Sequence, residues 1–223
     1  MVFGYRIGGL PLTTVQRLPN YLRVVREMHR AGREVVSSAR LGELLRLDPV
    51  QVRKDFGLIG IVGRPKIGFR TSELVEAIEG HLNWNRVSAA ILVGAGHLGQ
   101  ALLGYRGFAN HGLEIRAAFD LDPRSGEVHG IPVHPMHELE ARLPELGARM
   151  AILTVSPEAA QEAARRLAAA GIEGIWNFTG ATLDLPPAVI VQNQDIAVGL
   201  AVLSARLSAQ GRVVPAPIGE VPV

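Results

Sequence analysis

The stretch Ile91–Gly99, ILVGAGHLG, constrains the fold of this chain more than any other segment. An apolar run that feeds a three-glycine turn and then a helical segment describes a buried strand, a tight turn and a helix packed back on the strand. Gly94 suits the sharp turn, Gly96 lets the backbone approach a pyrophosphate, and Gly99 permits close helix-on-strand packing. Ala95, His97 and Leu98 complete the candidate dinucleotide turn, with the helix N-terminus facing the phosphates. The next segment, Glu114–Asp120, reads as a strand ending in an acid 21 residues beyond Gly99. That is close to the offset at which a carboxylate takes the ribose hydroxyls of an adenosine. Asp120 favours NAD over NADP because a 2′-phosphate would meet like charge there, with Arg124 as a nearby countercharge. A glycine turn alone is a weak signal, whereas strand, turn, helix, strand and acid in this order are specific.

The first 85 residues precede this unit and differ from it in charge. They hold 13 Lys and Arg against 8 Asp and Glu, while residues 86–223 hold 10 against 13, so a basic partner site is expected on the N-terminal module. A total of 223 residues is enough for two modest domains, each with its own core. Hydrophobic residues make up 48% and charged ones 20%, and no stretch approaches the roughly eighteen apolar residues of a membrane span. The opening MVFGYRIGGLPL is too short and glycine-rich for a secretory signal, so the cytoplasm is the expected compartment. The absence of cysteine excludes disulfides, thiolate metal sites and a thiol switch; a redox sensor of this composition works through a ligand.

Within the first module, Thr13 or Thr14 is the expected cap of a helix carrying Leu18, Leu22, Val25 and Met28 on one face, with Pro19 a kink or a second start. A second helix is expected from Ser37-Ser38 to about Leu47. Asp48-Pro49 then supplies an N-cap and a proline at the first helical position, so a third helix begins almost at once. Two short helices with so tight a joint read as a helix-turn-helix. On the third helix Val52, Phe56 and Ile59 face the core, leaving Gln51, Arg53 and Lys54 outward as base-reading residue types. Residues 61–70, IVGRPKIGFR, read as two short strands around a Gly63–Lys66 turn, a basic wing with Arg64 and Lys66 at its tip. A helix from about Ser72 to Leu82 closes a winged-helix domain, and Asn83-Trp84-Asn85 is the expected boundary.

The second module continues as alternating strands and helices, which predicts a Rossmann-like doubly wound parallel sheet. Its last helix, Asp195 to about Ala209, is apolar around much of its girth and needs a partner surface. The expected domains are 1–85, winged helix; 86–194, dinucleotide-binding; 195–210, terminal helix; and 211–223, a tail. His134-x-x-His137 with His129 lacks supporting ligands and is read as a histidine-bearing loop, with no metal expected.

Six segments together resemble the Rex family of redox-sensing transcriptional repressors. They are RLPNYLRVV (Arg17–Val25), QVRKDF (Gln51–Phe56), VGAGHLGQALLGYRGF (Val93–Phe108), AAFDLDP (Ala117–Pro123), TVSPEAAQEAARRL (Thr154–Leu167) and GIWNF with VQNQDIAVGL (Gly174–Phe178, Val191–Leu200). The resemblance implies a homodimer with a terminal helix swapped into the partner, binding palindromic operator DNA when NADH is low and released when NADH binds. By position it implies that Arg53 and Lys54 read the operator, that Gly94, Gly96, Gly99 and Asp120 hold NAD or NADH, and that Tyr105, Asp195 and Arg23 form the switch. The chain departs from the family in having Gly57-Leu58-Ile59-Gly60 for Ser-Tyr-Phe-Gly, Arg64-Pro65-Lys66 for a basic residue then Gly, and Asn177-Phe178-Thr179-Gly180 for Asn-Phe-Ala-Pro.

Two other readings fit a dinucleotide turn. A nicotinamide dehydrogenase with an appended domain lacks a strand-end acid or base paired with a carboxylate, so the chain is not expected to be an enzyme. A CoA-binding regulatory protein shares the fold, and Asp120 argues for ribose hydroxyls without excluding it.

Overall fold

The computed structural model describes residues 6–210; the 211–223 tail lies outside the described residues. Contacts divide the chain into two units, each with its own apolar core.

In the first unit, β1 (Arg6–Ile7) and β2 (Leu10–Pro11) pair antiparallel and lead directly into α1 (Leu12–Arg30). The expected threonine cap is not used: Pro11 is the N-cap, and Thr14 is buried with its hydroxyl turned to Asp55. Pro19 lies inside α1 without ending it. After β3 (Val35–Val36) comes α2 (Ser38–Leu45), whose Ser37 cap accepts from the Arg40 amide at 3.1 Å. Asp48 caps α3 (Pro49–Leu58) by accepting from the Val50 amide at 2.6 Å, with Pro49 at the first position. β4 (Phe69–Arg70) pairs antiparallel with β3, and α4 (Thr71–Leu82) packs on α1. Leu18, Leu22, Val25, Val52, Phe56, Leu74 and Ile78 are buried at the predicted spacings. Tyr21, Phe56 and Phe69 meet edge-on at 5.1 and 5.0 Å in the middle of this core.

The wing departs from the expected strand pair. Residues 61–63 form no strand; a single bridge joins Arg64 to Gly68, and the returning strand pairs with β3. Packing explains the change. A Cβ on Gly63 would lie 2.9 Å from the Phe69 ring, and one on Gly68, at φ +104, would lie 2.5 Å from the Val36 carbonyl, so the hairpin is pressed against β3.

The core also holds a carboxylate that helical periodicity cannot reveal. Asp55 is fully buried and accepts from Thr14 Oγ1 (2.9 Å), Arg17 Nε (2.7 Å), Arg17 Nη2 (2.8 Å), Tyr21 Oη (2.8 Å) and Gln51 Nε2 (3.0 Å). Burial alone would raise this carboxyl, but hydrogen bonds from Arg17, Tyr21 and Thr14, with the Arg17 charge, hold it below its ordinary value of 3.8. A folded value below the unfolded one makes its stabilisation complete above about pH 4 and lost as pH falls through the folded value. Asp55→Ala should cost about 3 to 5 kcal/mol at pH 7, because it strands Arg17 and Tyr21. Urea midpoints for the variant and the original chain should differ widely at neutral pH and converge in acid.

The second unit is built on one seven-stranded sheet. Its elements are β5 (Ser88–Val93), α5 (His97–Leu103), β6 (Leu113–Asp120), β7 (Glu127–Val128), β8 (Ile131–Pro135), α6 (Leu139–Leu146), β9 (Met150–Leu153), α7 (Pro157–Ala169), β10 (Gly174–Asn177), β11 (Ile190–Asn193) and α8 (Ile196–Ala209). The strand order is β11-β10-β9-β5-β6-β8-β7, with β7 antiparallel at one edge and the β5–β9, β9–β10, β10–β11 and β6–β8 pairs parallel. Without β7 this is the doubly wound order that reverses beside the first strand. Ile91, Val93, Phe119, Ala151, Leu153 and Leu167 are among the residues that fill its core. No residue of α8 is buried, and Ile196, Val198, Leu200, Val202 and Leu203 are all exposed.

Arg106–Leu113 belongs to the first unit, although sequence order places it between α5 and β6. It contains a 3-10 turn, Arg106–His111. Arg26 donates to the Asn110 carbonyl at 3.3 Å, and the Trp84 and His111 rings meet at 4.2 Å.

Candidate functional site

The carboxyl ends of β5, β6 and β9 converge where the strand order reverses, the usual place for a ligand crevice in an open parallel sheet. A cavity of about 410 Å³ opens there, lined by Val93, Gly94, Gly96, Asp120, Leu121 and Thr154 among others. A second, of about 460 Å³, takes in Ala95, Gly96, His97, Gln100, Asp120 and Arg124. Gly96 and Asp120 line both.

The three glycines have different reasons to be glycine. Gly94 has φ +99, and a Cβ there would lie 2.8 Å from the Thr154 carbonyl carbon. On Gly99 a Cβ would lie 2.0 Å from the Gly94 carbonyl oxygen, so α5 could not sit this close to the turn. Gly96 has φ −70, and nothing of the protein lies within 4 Å of a Cβ built on it. Neither strain nor internal packing requires glycine at position 96, and this residue lines both cavities.

Asp120 is tied to the turn: Oδ2 accepts from the Ala95 amide at 2.6 Å and Oδ1 from the Asp122 amide at 2.9 Å. Each oxygen keeps acceptor capacity for a hydroxyl. Thr154, which the sequence reading does not single out, donates to the Gly94 carbonyl at 2.7 Å and clasps the turn to the end of β9. Leu98 is exposed on α5 and lines neither cavity, and the same holds for Tyr105 after α5 and for Asp195. Asp195 caps α8, accepting from the Ala197 amide at 2.7 Å. Arg23 is exposed on α1 and lies 3.5 Å from Glu27. The geometry therefore brings the glycine turn and Asp120 together, and leaves Arg23 and Asp195 in separate local contacts.

In the first unit a groove of about 520 Å³ is lined by Ser37 and Ser38 at the start of α2, Arg53 of α3, and Arg64, Pro65 and Lys66 of the wing. Arg53 and Lys54 are exposed, and Arg53 Nη1 donates to Ser38 Oγ at 3.0 Å. Gln51 departs from the outward placement read from the sequence, because its amide is turned to Asp55. Lys66 has φ +62 at the wing tip. A side chain in this left-handed region costs about 1 to 2 kcal/mol, strain of a kind that clusters at functional positions. Arg53 of α3 and the wing cations Arg64 and Lys66 thus line one groove.

Two family models match: "Putative DNA-binding protein N-terminus" over residues 9–57 and "CoA binding domain" over residues 85–181. The redox-sensing transcriptional repressor Rex of Treponema denticola is 45% identical over 199 residues, covering 88% of this chain and 95% of the relative. That of Maridesulfovibrio salexigens is 42% identical, covering 83% and 90%. The chain belongs to the Rex family. Among solved structures, the repressor RSP in complex with β-NAD+ and operator DNA matches with a TM-score of 0.85 at 29% identity, covering 93% of this chain and 95% of that one. RSP with β-NADH matches with a TM-score of 0.82, covering 91% and 96%. The matches over most of the chain are repressors, so the Rex reading replaces the dehydrogenase one, and this chain is a transcriptional regulator rather than an enzyme.

The departures from the Rex pattern have local explanations. Arg64-Pro65-Lys66 stands where the family has a basic residue then Gly, and Lys66 adopts a left-handed backbone conformation that glycine takes without cost. Gly180 has φ +74, which proline cannot adopt, so the loop after β10 is built differently, with Thr179 Oγ1 donating to Asn177 Oδ1 at 2.7 Å. The exchange of Ser-Tyr-Phe-Gly for Gly57-Leu58-Ile59-Gly60 leaves Ile59 buried and Leu58 exposed.

Proposed function

We propose that this chain, as a homodimer, binds palindromic operator DNA when NADH is scarce and releases it when NADH binds, acting in the cytoplasm on the cell's own promoters. Among the described residues no helix is long and apolar enough to cross a membrane. The observation that carries the nucleotide half is Gly96, a turn glycine that lines both cavities and whose Cβ position meets nothing of the protein within 4 Å. The backbone from Ala95 to Leu98 would hold the pyrophosphate, and Asp120 the adenosine ribose. NAD+ and NADH compete for this site, and the reduced form supplies the signal. Asp195 is the carboxylate that exchanges between Tyr105 and Arg23, so that the nucleotide selects one dimer geometry. An effector shifts such an equilibrium only by its differential affinity for the two geometries. The decisive experiment titrates a preformed operator complex with NADH, NAD+ and CoA. Release by NADH at concentrations where CoA does nothing supports this reading, and release by CoA alone overturns it.

The DNA half separates into two kinds of contact. Arg53→Ala should cost roughly 1 to 3 kcal/mol and relax base preference at one position of each half-site. Arg64→Ala and Lys66→Ala should weaken binding to all sequences and flatten the salt dependence. Affinities for operator variants at several salt concentrations distinguish the two, and an Arg53→Ala protein with unaltered base preference removes α3 from the reading role.

A further inference from the structure

The excursion Arg106–Leu113 lies between the two elements that form the nucleotide site. It begins immediately after Tyr105, two residues beyond the Gly104 that ends α5, and it runs into β6, which ends at Asp120. The glycine turn and the ribose carboxylate are thus consecutive in the fold only through a segment that packs with the DNA-binding unit.

The packing is specific. Arg26 on α1 donates to Glu79 Oε1 of α4 at 3.1 and 2.8 Å, and the same guanidinium reaches the Asn110 carbonyl at 3.3 and 3.4 Å. One side chain therefore ties α1, α4 and the excursion. The His111 ring lies against Trp84, and its Nδ1 is 2.8 Å from the Gly107 carbonyl, which closes the turn on itself. Gly112 has φ +68, and a Cβ there would lie 2.4 Å from the Arg86 carbonyl, so this backbone has no room to slide. At the other end, a Cβ on Gly104 would lie 2.8 Å from the His129 ring, so the joint leaving α5 is packed as well.

We propose that Arg26 and the Trp84–His111 pair are positioning residues for the NADH response: they fasten the α5–β6 crossover to the DNA-binding unit, so that a shift of the glycine turn moves the reading helix. This rests on the function proposed above. Arg26, Trp84 and His111 line neither nucleotide cavity nor the α3–wing groove, so the fastening serves coupling rather than either affinity.

The test uses the full-length protein with Arg26→Gln, His111→Ala and both together. Operator affinity without nucleotide and NADH affinity without DNA should stay close to the original. The coupling factor, operator affinity without NADH divided by that with NADH, should fall by about fivefold or more from a typical 5- to 150-fold. NADH affinity measured with and without operator should change by the same reduced factor, as linkage requires; a merely structural defect would instead lower the thermal midpoint and the two separate affinities. Arg26→Lys, which keeps a donor beside Glu79 and Asn110, should restore most of the coupling. An undiminished coupling factor in the double variant overturns the proposal while leaving NADH release intact; a wild-type protein that ignores NADH removes the underlying reading instead. Should the double variant unfold, hydrogen exchange on the original protein decides: amides 106–113 must change protection when NADH binds, and unchanged protection overturns the proposal.

Discussion

Gly96→Val should abolish the response to NADH while leaving the free protein as stable as before. The backbone at Gly96 is ordinary for an L-residue, and nothing of the protein lies near its Cβ, so the valine fits the fold. The added side chain would stand at a residue that lines both cavities. A loss of at least about 100-fold in NADH affinity, roughly 2.7 kcal/mol, is expected, because the ligand backbone and two methyl groups cannot occupy one place. The contrast with Gly99→Ala is informative. That smaller change drives a methyl into the Gly94 carbonyl and should cost about 1 to 3 kcal/mol of stability through overpacking, with nucleotide binding lost as a by-product. Calorimetric titration and thermal melts on both variants separate the two effects. Unaltered NADH affinity in Gly96→Val takes the pyrophosphate away from this turn.

Ending the chain before Asp195 should give monomers or aggregates and cost most of the operator affinity. The helix α8 has no buried residue, and five of its large apolar side chains are exposed. Each such side chain contributes about 1.5 to 3 kcal/mol when it is taken out of water, so a helix exposing five of them is a solubility liability until a second copy covers it. A palindromic operator read by one protomer loses the gain from joining two half-sites, which amounts to about 100-fold or more. Sedimentation and operator titration check both outcomes. A stable, monodisperse dimer from the truncated chain counts against an interface built on α8.

Much of this architecture was legible because it is local. Asp48-Pro49, Ser37 and the glycine turn announce their elements within a few residues, and the spacings of Val52, Phe56 and Ile59 or of Leu74 and Ile78 require only a helix. What stayed hidden depends on partners far along the chain. Asp55 reads as a surface acid until Thr14, Arg17 and Tyr21 arrive from α1, and their arrival also turns Gln51 inward. The wing reads as a strand pair of its own because β3, the true partner of β4, is only two residues long and carries no periodic signal. Thr154 carries no motif of its own, although its place just beyond β9, at the carboxyl edge of a parallel sheet, is where site residues gather.

The discontinuous makeup of the first unit limits how such a chain can be recombined. A gene cut at the boundary near Val87 hands over a DNA-binding half that has lost Arg106–Leu113, leaving the Trp84 ring without His111 and the Arg26 guanidinium without its carbonyl. The nucleotide half inherits a loop shaped for a surface it no longer has. A chimera that gives this reading head to another sensor must carry both pieces, so the two halves pass between genes as an interleaved pair and not as beads on a string.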